Sequence, residues 1–399
     1  MNGTRLTRPR RLATGMLFVL AVVLGAQASV SPAGASYGPP GKAEANPSSI
    51  APLSGSVVTP SMSWATVLMG KNDGDFDLFW QLFAWKPSSS QWSLATPPGV
   101  ADNGGLMIAP SATGENGIVG FGVSQGLRFS PLAFTSDGAA SWTPGGLPSG
   151  LVEAPTVLGV NPFADTLALI GGKDPAVLRQ DGGPTSWKRL VSEAELRRTP
   201  AGRTCGLAAL ESVSYDPHGT PTVGVACREP DTPGVLVDSD SQWHLADIPV
   251  PTELTEDVFN TFRLNNGSAL LTGEKRGTTD VVAVWEPVGN QPWSMSPPLR
   301  LARASDLLAS GEGPDTTQFV VVGRKGGSRQ AEIISGPGST WQALPTLPTG
   351  TATIAFEPSG ALVALSVKTT VCTVWQLGAQ GSWEPVQTIK VPIAFGSSA

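Results

Sequence analysis

The sequence predicts an all-β protein, a seven-bladed β-propeller whose blades are four-stranded and antiparallel. Two observations carry this prediction. A tryptophan recurs every 42 to 56 residues, at Trp92, Trp142, Trp187, Trp243, Trp293, Trp341 and Trp383. Before each tryptophan, short apolar runs alternate with Gly, Pro, Asn and Asp, as in strands joined by tight turns. Four-strand units of this length bury their faces by stacking radially around a channel.

The last repeat shows the four strands most clearly. Its apolar segments are 351–356, 361–367, 371–377 and 382–389, and the first turn is Glu357–Gly360. Bulky apolar residues also recur about eight positions before the tryptophans that anchor the repeats. Since large aromatic side chains contribute mainly as buried area, we expect the tryptophans to pack between neighbouring blades and not to bind sugars.

The N-terminus predicts export. Residues 1–35 combine four arginines, an apolar run over 12–24 and small residues near Ala35, which is typical of a signal peptide. Residues 36–53 lack apolar periodicity and are predicted to be a disordered tether. Residues 54–399 then form a single propeller domain of seven repeats. No segment after the leader is apolar for long enough to predict a membrane span, so the protein is expected to be secreted, extracellular or associated with the cell wall.

The net charge argues against one class of partner. The formal charge is −6 for the whole chain, and removal of a leader with four arginines and no acidic residue lowers it to −10. Proteins that bind nucleic acids concentrate positive charge on the surface that meets the phosphates. An acidic chain of this kind is therefore not expected to bind nucleic acid.

The cysteines agree with export. Cys205 and Cys227 lie eleven residues on either side of Asp216, within a predicted turn, so a hairpin would bring them opposite each other. We predict that they form a disulfide, which an oxidising compartment permits. Cys372 stands alone on a predicted strand and is interpreted as a packing residue.

Catalytic residues are not evident. The two histidines, His218 and His244, fall in a turn and on an outer strand, where they fit neither a Ser-His-Asp triad nor a histidine-rich metal site. We assign no catalytic residue, cofactor or metal. One enzymatic alternative needs only two carboxylates, a glycoside hydrolase; its candidate acids lie in predicted loops and are Asp231, Glu256, Asp257 and Asp280. The acids of segment 72–77 suggest calcium, but an exposed Asn-Asp-Gly turn is the preferred interpretation.

Two propeller families resemble parts of this chain. Residues 135–142, Thr-Ser-Asp-Gly-Ala-Ala-Ser-Trp, resemble the Asp-box of sialidase-like propellers, with Asp181–Gly183 as a looser copy. Gly171–Gly172 and the segment 341–345 are similar to kelch repeats. The resemblance implies a secreted bacterial repeat propeller and no particular activity, because both motifs build turns. Sialidase activity is not expected, because the Arg-Ile-Pro stretch of that family is absent. The paired tyrosines and histidines of kelch-type copper oxidases are absent as well.

Basic residues recur at one position of the repeat, after the second predicted strand. They are Lys71, Lys173, Arg228, Lys275, Arg276, Arg324, Lys325 and Lys368, with Arg128 slightly later in its loop. A closed propeller would display them as a ring around one mouth of its channel, although exposed turns often carry such residues without a function. We therefore predict an extracellular binding or scaffolding module for an anionic glycan, a cell-wall polymer or a protein partner. The carbohydrate-active enzyme is the alternative.

Overall fold

The computed structural model describes residues 54–392 except for short gaps. The gaps are 71–77, 98–104, 112–113, 122–131, 148–154, 162, 229–232, 255–257, 266, 276–277, 288–291 and 316. The predicted signal peptide, 1–35, and tether, 36–53, lie outside the described residues. Within the described ranges, no helix is long and apolar enough to cross a membrane.

Strands occur throughout the described part of the chain and are numbered here in chain order. The first twelve are β1 (Ser54–Val58), β2 (Ser63–Gly70), β3 (Leu78–Lys86), β4 (Gln91–Leu94), β5 (Leu106–Pro110), β6 (Gly117–Phe121), β7 (Leu132–Thr135), β8 (Thr143–Gly145), β9 (Pro155–Val160), β10 (Thr166–Ile170), β11 (Ala176–Gly183) and β12 (Ser186–Ser192). After two short helices, the next nine are β13 (Ala209–Tyr215), β14 (Pro221–Ala226), β15 (Val235–Ser239), β16 (Gln242–Leu245), β17 (Val258–Asn265), β18 (Ser268–Lys275), β19 (Thr278–Trp285), β20 (Ser294–Met295) and β21 (Leu299–Leu301). The last eight are β22 (Leu307–Glu312), β23 (Phe319–Lys325), β24 (Ser328–Ile334), β25 (Gln342–Ala343), β26 (Thr351–Phe356), β27 (Leu362–Lys368), β28 (Val371–Leu377) and β29 (Trp383–Lys390).

The prediction of seven separate blades is wrong. In the described part, five blades have a four-strand path, namely β5–β8, β9–β12, β13–β16, β17–β20 and β26–β29, and β21 adds to the fourth of these. The remaining strands form one eight-stranded sheet, because β1 pairs in parallel with β22. The all-β class and the propeller architecture of antiparallel four-strand units are confirmed.

Small residues explain why the two units merge. The parallel pairing joins Ser54, Gly55 and Ser56 to the segment Ala309–Gly311. A Cβ atom on Gly311 would come within 2.4 Å of the Ser56 hydroxyl, so only glycine allows this approach. The repeat spacing contains no information about this contact, which lies between segments far apart in sequence.

The anchoring tryptophans contribute to the packing between units, as predicted. Each belongs to or packs against a different hydrophobic cluster. Trp92, for example, is 2% exposed and packs with Val363 and Val374 of the blade β26–β29. The same junction closes the ring of units, because the Gln387 side chain accepts a hydrogen bond from the Trp92 N–H (3.0 Å) and donates one to its carbonyl (2.7 Å).

Two short helices separate β12 from β13. They are α1 (Glu193–Arg198) and α2 (Pro200–Thr204). The predicted disulfide between Cys205 and Cys227 is confirmed, with the two Cα atoms 4.9 Å apart, and it joins the residue after α2 to the end of β14. Cys372 is a buried free thiol, and burial raises its pKa to about 12, in agreement with a packing role.

Candidate functional site

One end of the domain carries the turns between the second and third strands of the units, since successive antiparallel strands alternate in direction. We call it the basic-turn end. The predicted site residues whose side chains are described all lie there and are exposed: Lys173, Arg228, Arg324, Lys325 and Lys368. Lys275 is the last residue of β18, on the same end. The predicted Lys71, Arg128 and Arg276 lie outside the described residues.

Among the described residues, none of the five exposed bases forms an ion pair. Several acids on this end already have partners. Glu193 pairs with Arg197 at 2.6 Å, and Asp280 accepts two hydrogen bonds from Arg300 at 2.9 and 3.0 Å. The basic charge is therefore available to a ligand.

The opposite end is acidic, a feature that the sequence analysis missed. Turns between the first and second strands carry Glu115, Asp165, Asp216, Asp315 and Glu357. Turns between the third and fourth strands reach the same end and add Asp137, Asp181 and Asp240. Acids are thus concentrated in the described turns of this end, whereas the basic-turn end carries both bases and exposed acids such as Asp174 and Glu253. The alternation of acidic and basic turns along the sequence was the signal for this asymmetry.

The central channel contains a cavity of about 130 Å³. It is lined by the first strands of the units, β1, β5, β9, β13, β17 and β22. Apolar side chains such as Leu106 and Ile108 share the wall with the hydroxyls of Ser56 and Ser212 and with Arg263. This volume holds a small molecule or several waters, and it is too small for a polymer segment. A polymeric ligand would have to bind outside the channel.

A buried ion pair lies beside this cavity. The Arg263 guanidinium donates hydrogen bonds to the carbonyl and hydroxyl of Ser310 (both 3.0 Å) and to the Ser56 carbonyl, so it bridges β17 to the merged strands β1 and β22. Its Nε lies 3.9 Å from a carboxylate oxygen of Glu312, which is fully buried. Burial lowers the pKa of Arg263, and the Glu312 charge opposes that shift. Neither residue was singled out from the sequence.

Bulges recur in the first strands and place one more acid near the basic-turn end. In β9, β13, β22 and β26 the pairing with the next strand skips one residue close to the start of the strand, and in β17 it skips one in the middle. In β13 the skipped residue is Glu211, whose carboxylate accepts a hydrogen bond from the Thr261 N–H at 2.5 Å. Burial raises the Glu211 pKa to about 7, and the nearby charge of Glu274 adds to the shift. Bulges often redirect a side chain next to a functional site.

The two-carboxylate hypothesis loses its described candidate. Asp280 is 3% exposed and each of its carboxylate oxygens already accepts a hydrogen bond from Arg300. The other candidates, Asp231, Glu256 and Asp257, lie outside the described residues. The segment 72–77, considered for calcium, lies outside them as well. In the part of the chain that is described, no group of three or more His, Cys, Asp or Glu residues is arranged to hold a metal ion.

The segment 135–142 forms a tight turn around one aspartate. Asp137 accepts hydrogen bonds from the Thr135 hydroxyl (2.9 Å), the Ser141 N–H (2.9 Å) and the Ser141 hydroxyl (2.5 Å). These bonds, chiefly those from Ser141, lower the Asp137 pKa to about 2. Ala139 has φ +65° where the Asp-box of the resembled family has glycine. The aspartate thus stabilises its own turn, and the turn has no evident ligand-binding role.

No family model matches this chain, and no curated protein does. Among solved structures, the periplasmic gluconolactonase of Pseudomonas aeruginosa is 14% identical, with a TM-score of 0.52 and coverage of 83% of this chain and 97% of that one. TolB from Acinetobacter baumannii is 12% identical (TM-score 0.40, coverage 83% and 65%), and YCF48 from Cyanidioschyzon merolae is 16% identical (TM-score 0.46, coverage 79% and 92%). At such identities the gluconolactonase likeness shows the fold alone. The chain is therefore a β-propeller, and neither an Asp-box nor a kelch family is confirmed.

Proposed function

We propose that this protein is an extracytoplasmic binding module that holds an anionic polymer, an acidic glycan or a cell-wall polyanion, on its basic-turn end. The observation that supports the proposal is the set of exposed, unpaired bases at equivalent turns of successive units. A surface of one sign attracts a polyanion at long range, and the acidic opposite end repels it. The disulfide supports a location outside the cytoplasm, where such bonds persist.

The test compares two charge reversals of equal size. Arg324→Glu with Lys368→Glu acts on the basic-turn end, and Lys86→Glu with Lys188→Glu acts on strands that meet the opposite end. Each pair changes the net charge by about −4, since every reversal replaces +1 by −1. We expect only the first pair to reduce retention on immobilised heparin and polygalacturonate at low salt. The larger set Lys173, Arg228, Arg324 and Lys368, all reversed to glutamate, should abolish it completely.

Salt dependence provides the second criterion. Exposed charges are screened over about 10 Å at 0.1 M salt and about 3 Å at 1 M, so retention of the parent protein should fall steeply between these concentrations. Equal loss of retention in the two charge-matched pairs would show that net charge alone, and not one end, governs binding. A parent protein that is not retained at low salt would refute the proposal.

A hydrolase is the second candidate, and Glu211 is the observation that favours it. A carboxyl with a pKa near 7 can donate a proton at neutral pH and is suited to general acid catalysis. Glu274, whose charge contributes to that pKa, would be the second carboxylate. Chromogenic glycosides and small lactones would be assayed with the parent protein, Glu211→Gln and the control Glu253→Gln, an exposed acid on the same end. Activity that survives Glu211→Gln would exclude this role.

A further inference from the structure

The helical insertion between β12 and β13 carries a second basic surface, separate from most of the predicted ring. Its arginines are Arg198 at the end of α1 and Arg203 in α2, and both are exposed. Arg228, a member of the ring, lies beside them because the adjacent Cys227 is bonded to Cys205. We call Arg198, Arg203 and Arg228 the arginine platform.

Both short helices that carry the platform have capped N-termini, and α1 is anchored in the core. Ser192 caps α1 in a capping box with Glu195, and Leu196 is fully buried beneath it. Thr199 caps α2, whose first residue is Pro200, a favourable residue at that position. Helices of six and five residues are not stable alone, so these caps and the core contact are needed to keep them folded.

The disulfide holds the backbone at Arg228 close to the end of α2, which carries Arg203. Arg203 lies two residues before Cys205, and Arg228 follows Cys227, while the two cysteine Cα atoms are 4.9 Å apart. The Arg228 N–H also donates to the Cys205 carbonyl at 3.0 Å. One Nη of Arg203 donates to the Arg198 carbonyl, which orients its guanidinium against α1. None of the three platform arginines forms an ion pair among the described residues.

We propose that the arginine platform is the primary contact for phosphate or sulfate ester groups of the polyanion that this end binds. The proposal rests on the proposed function and makes it more specific. Arginine presents parallel donors that match oxyanions. The terminal oxygens of a tetrahedral phosphodiester or sulfate ester accept hydrogen bonds from several directions, whereas those of a planar uronic carboxylate accept mainly within one plane. Reduction of the disulfide would release Arg228 from the end of α2, because the Cys205–Cys227 bond is the covalent link between them.

The test removes two platform charges that the ring does not include. Arg198→Gln with Arg203→Gln is compared with Arg324→Gln and Lys325→Gln, an equal charge loss at a distant turn of the same end. Binding of the oxidised full protein to poly(glycerol phosphate), heparin and polygalacturonate would be measured by biolayer interferometry. We expect the platform pair to weaken binding to the first two polymers about tenfold or more, since a charge-assisted hydrogen bond contributes about 1.5–3 kcal/mol. The distant pair should weaken it less than about threefold, as expected for screened charges.

Two further arms separate the platform from the ring. Cys205→Ser with Cys227→Ser should reduce binding to the same polymers while the near-ultraviolet circular dichroism keeps its native form. Arg197→Gln, which removes an arginine already paired with Glu193, should leave binding unchanged. Near-ultraviolet spectra of every variant ensure that a loss of binding is not a loss of folding.

The outcomes distinguish the two proposals. If the platform pair binds as the parent does while the four-residue ring reversal abolishes binding, the platform is wrong and the proposed function stands. If polygalacturonate of equal charge density binds as tightly as poly(glycerol phosphate) and heparin, the preference for esters is wrong. If the parent binds none of the three polymers, both proposals fail.

Discussion

Replacement of Arg263 by methionine should destabilise the protein strongly. The substitution leaves Glu312, which is fully buried, without the guanidinium 3.9 Å away. It also removes the hydrogen bonds that Arg263 donates to Ser310 and to the Ser56 carbonyl. Removing one partner of a buried ion pair costs about 3–5 kcal/mol, mostly because the other charge stays buried. We expect a loss of that size in the free energy of unfolding, measured by urea denaturation at pH 7.

The pH dependence separates a lost charge partner from lost packing. Without the Arg263 guanidinium, the buried Glu312 carboxyl favours the protonated form more strongly in the folded variant, whereas a glutamate in the unfolded chain has a pKa of about 4.3. The destabilisation of the variant is therefore greatest at a pH where Glu312 is ionised in the folded state. It disappears as the pH falls towards the unfolded-state pKa of about 4.3. The difference in unfolding free energy between the parent and Arg263→Met should shrink between pH 7 and pH 4.5.

A double variant completes the test. Arg263→Met with Glu312→Met removes both charges, and apolar replacement of a buried pair is often nearly neutral. The double variant should therefore be more stable than Arg263→Met alone, although it still lacks the bonds to Ser310 and Ser56. A single variant that loses less than about 1 kcal/mol, or a double variant less stable than the single at pH 7, would refute the reasoning.

Three further predictions concern stability. Cys205→Ser with Cys227→Ser should lower the unfolding free energy by about 3 kcal/mol, the value expected for closing a loop of this length, as measured by urea denaturation with and without reductant. The parent should lose about 3 kcal/mol between pH 4.5 and 7, because burial raises the Glu211 pKa to about 7 and the folded state binds that proton more tightly than the unfolded chain; Glu211→Gln should lack this decline. Gln387→Ala should cost about 1–3 kcal/mol through its two hydrogen bonds to Trp92 and accelerate amide exchange in β4 and β29.

The features that the sequence predicted correctly depend on local order along the chain. The tryptophan spacing follows the repeat, and each anchoring tryptophan contacts its own cluster. The disulfide is predicted from a hairpin centred on Asp216, and the bond is present, but the hairpin register pairs Ala209 with Ala226. Cys205 therefore reaches Cys227 from the C-terminal end of α2 and not from the paired strand. The positions of Lys173, Arg324 and Lys368 follow from the order of strands and turns within one unit.

The features that the sequence did not predict depend on contacts between distant segments. The pairing of β1 with β22 requires small residues around Gly55 and Gly311, and glycine and serine are common in turns and strands alike. The raised pKa of Glu211 arises from its burial at a bulge, and the hydrogen bond from the Thr261 N–H opposes the shift. The sequence shows only one more polar residue in an apolar strand. The repeat period identifies the units. It does not predict which sheets pair with each other or which acids become buried.

The charge asymmetry between the two ends follows from strand alternation. In an antiparallel four-strand unit, the first and third turns must lie on one end, and the second turn with the connection to the next unit on the other. Acids in turns of the first kind and bases in turns of the second kind therefore place the bases of these turns on one end of the domain. An acidic protein can in this way present a basic surface, and a polyanion would meet it in one orientation only. The exposed end is then acidic, so a surface-bound molecule would repel further polyanion and favour a single bound layer.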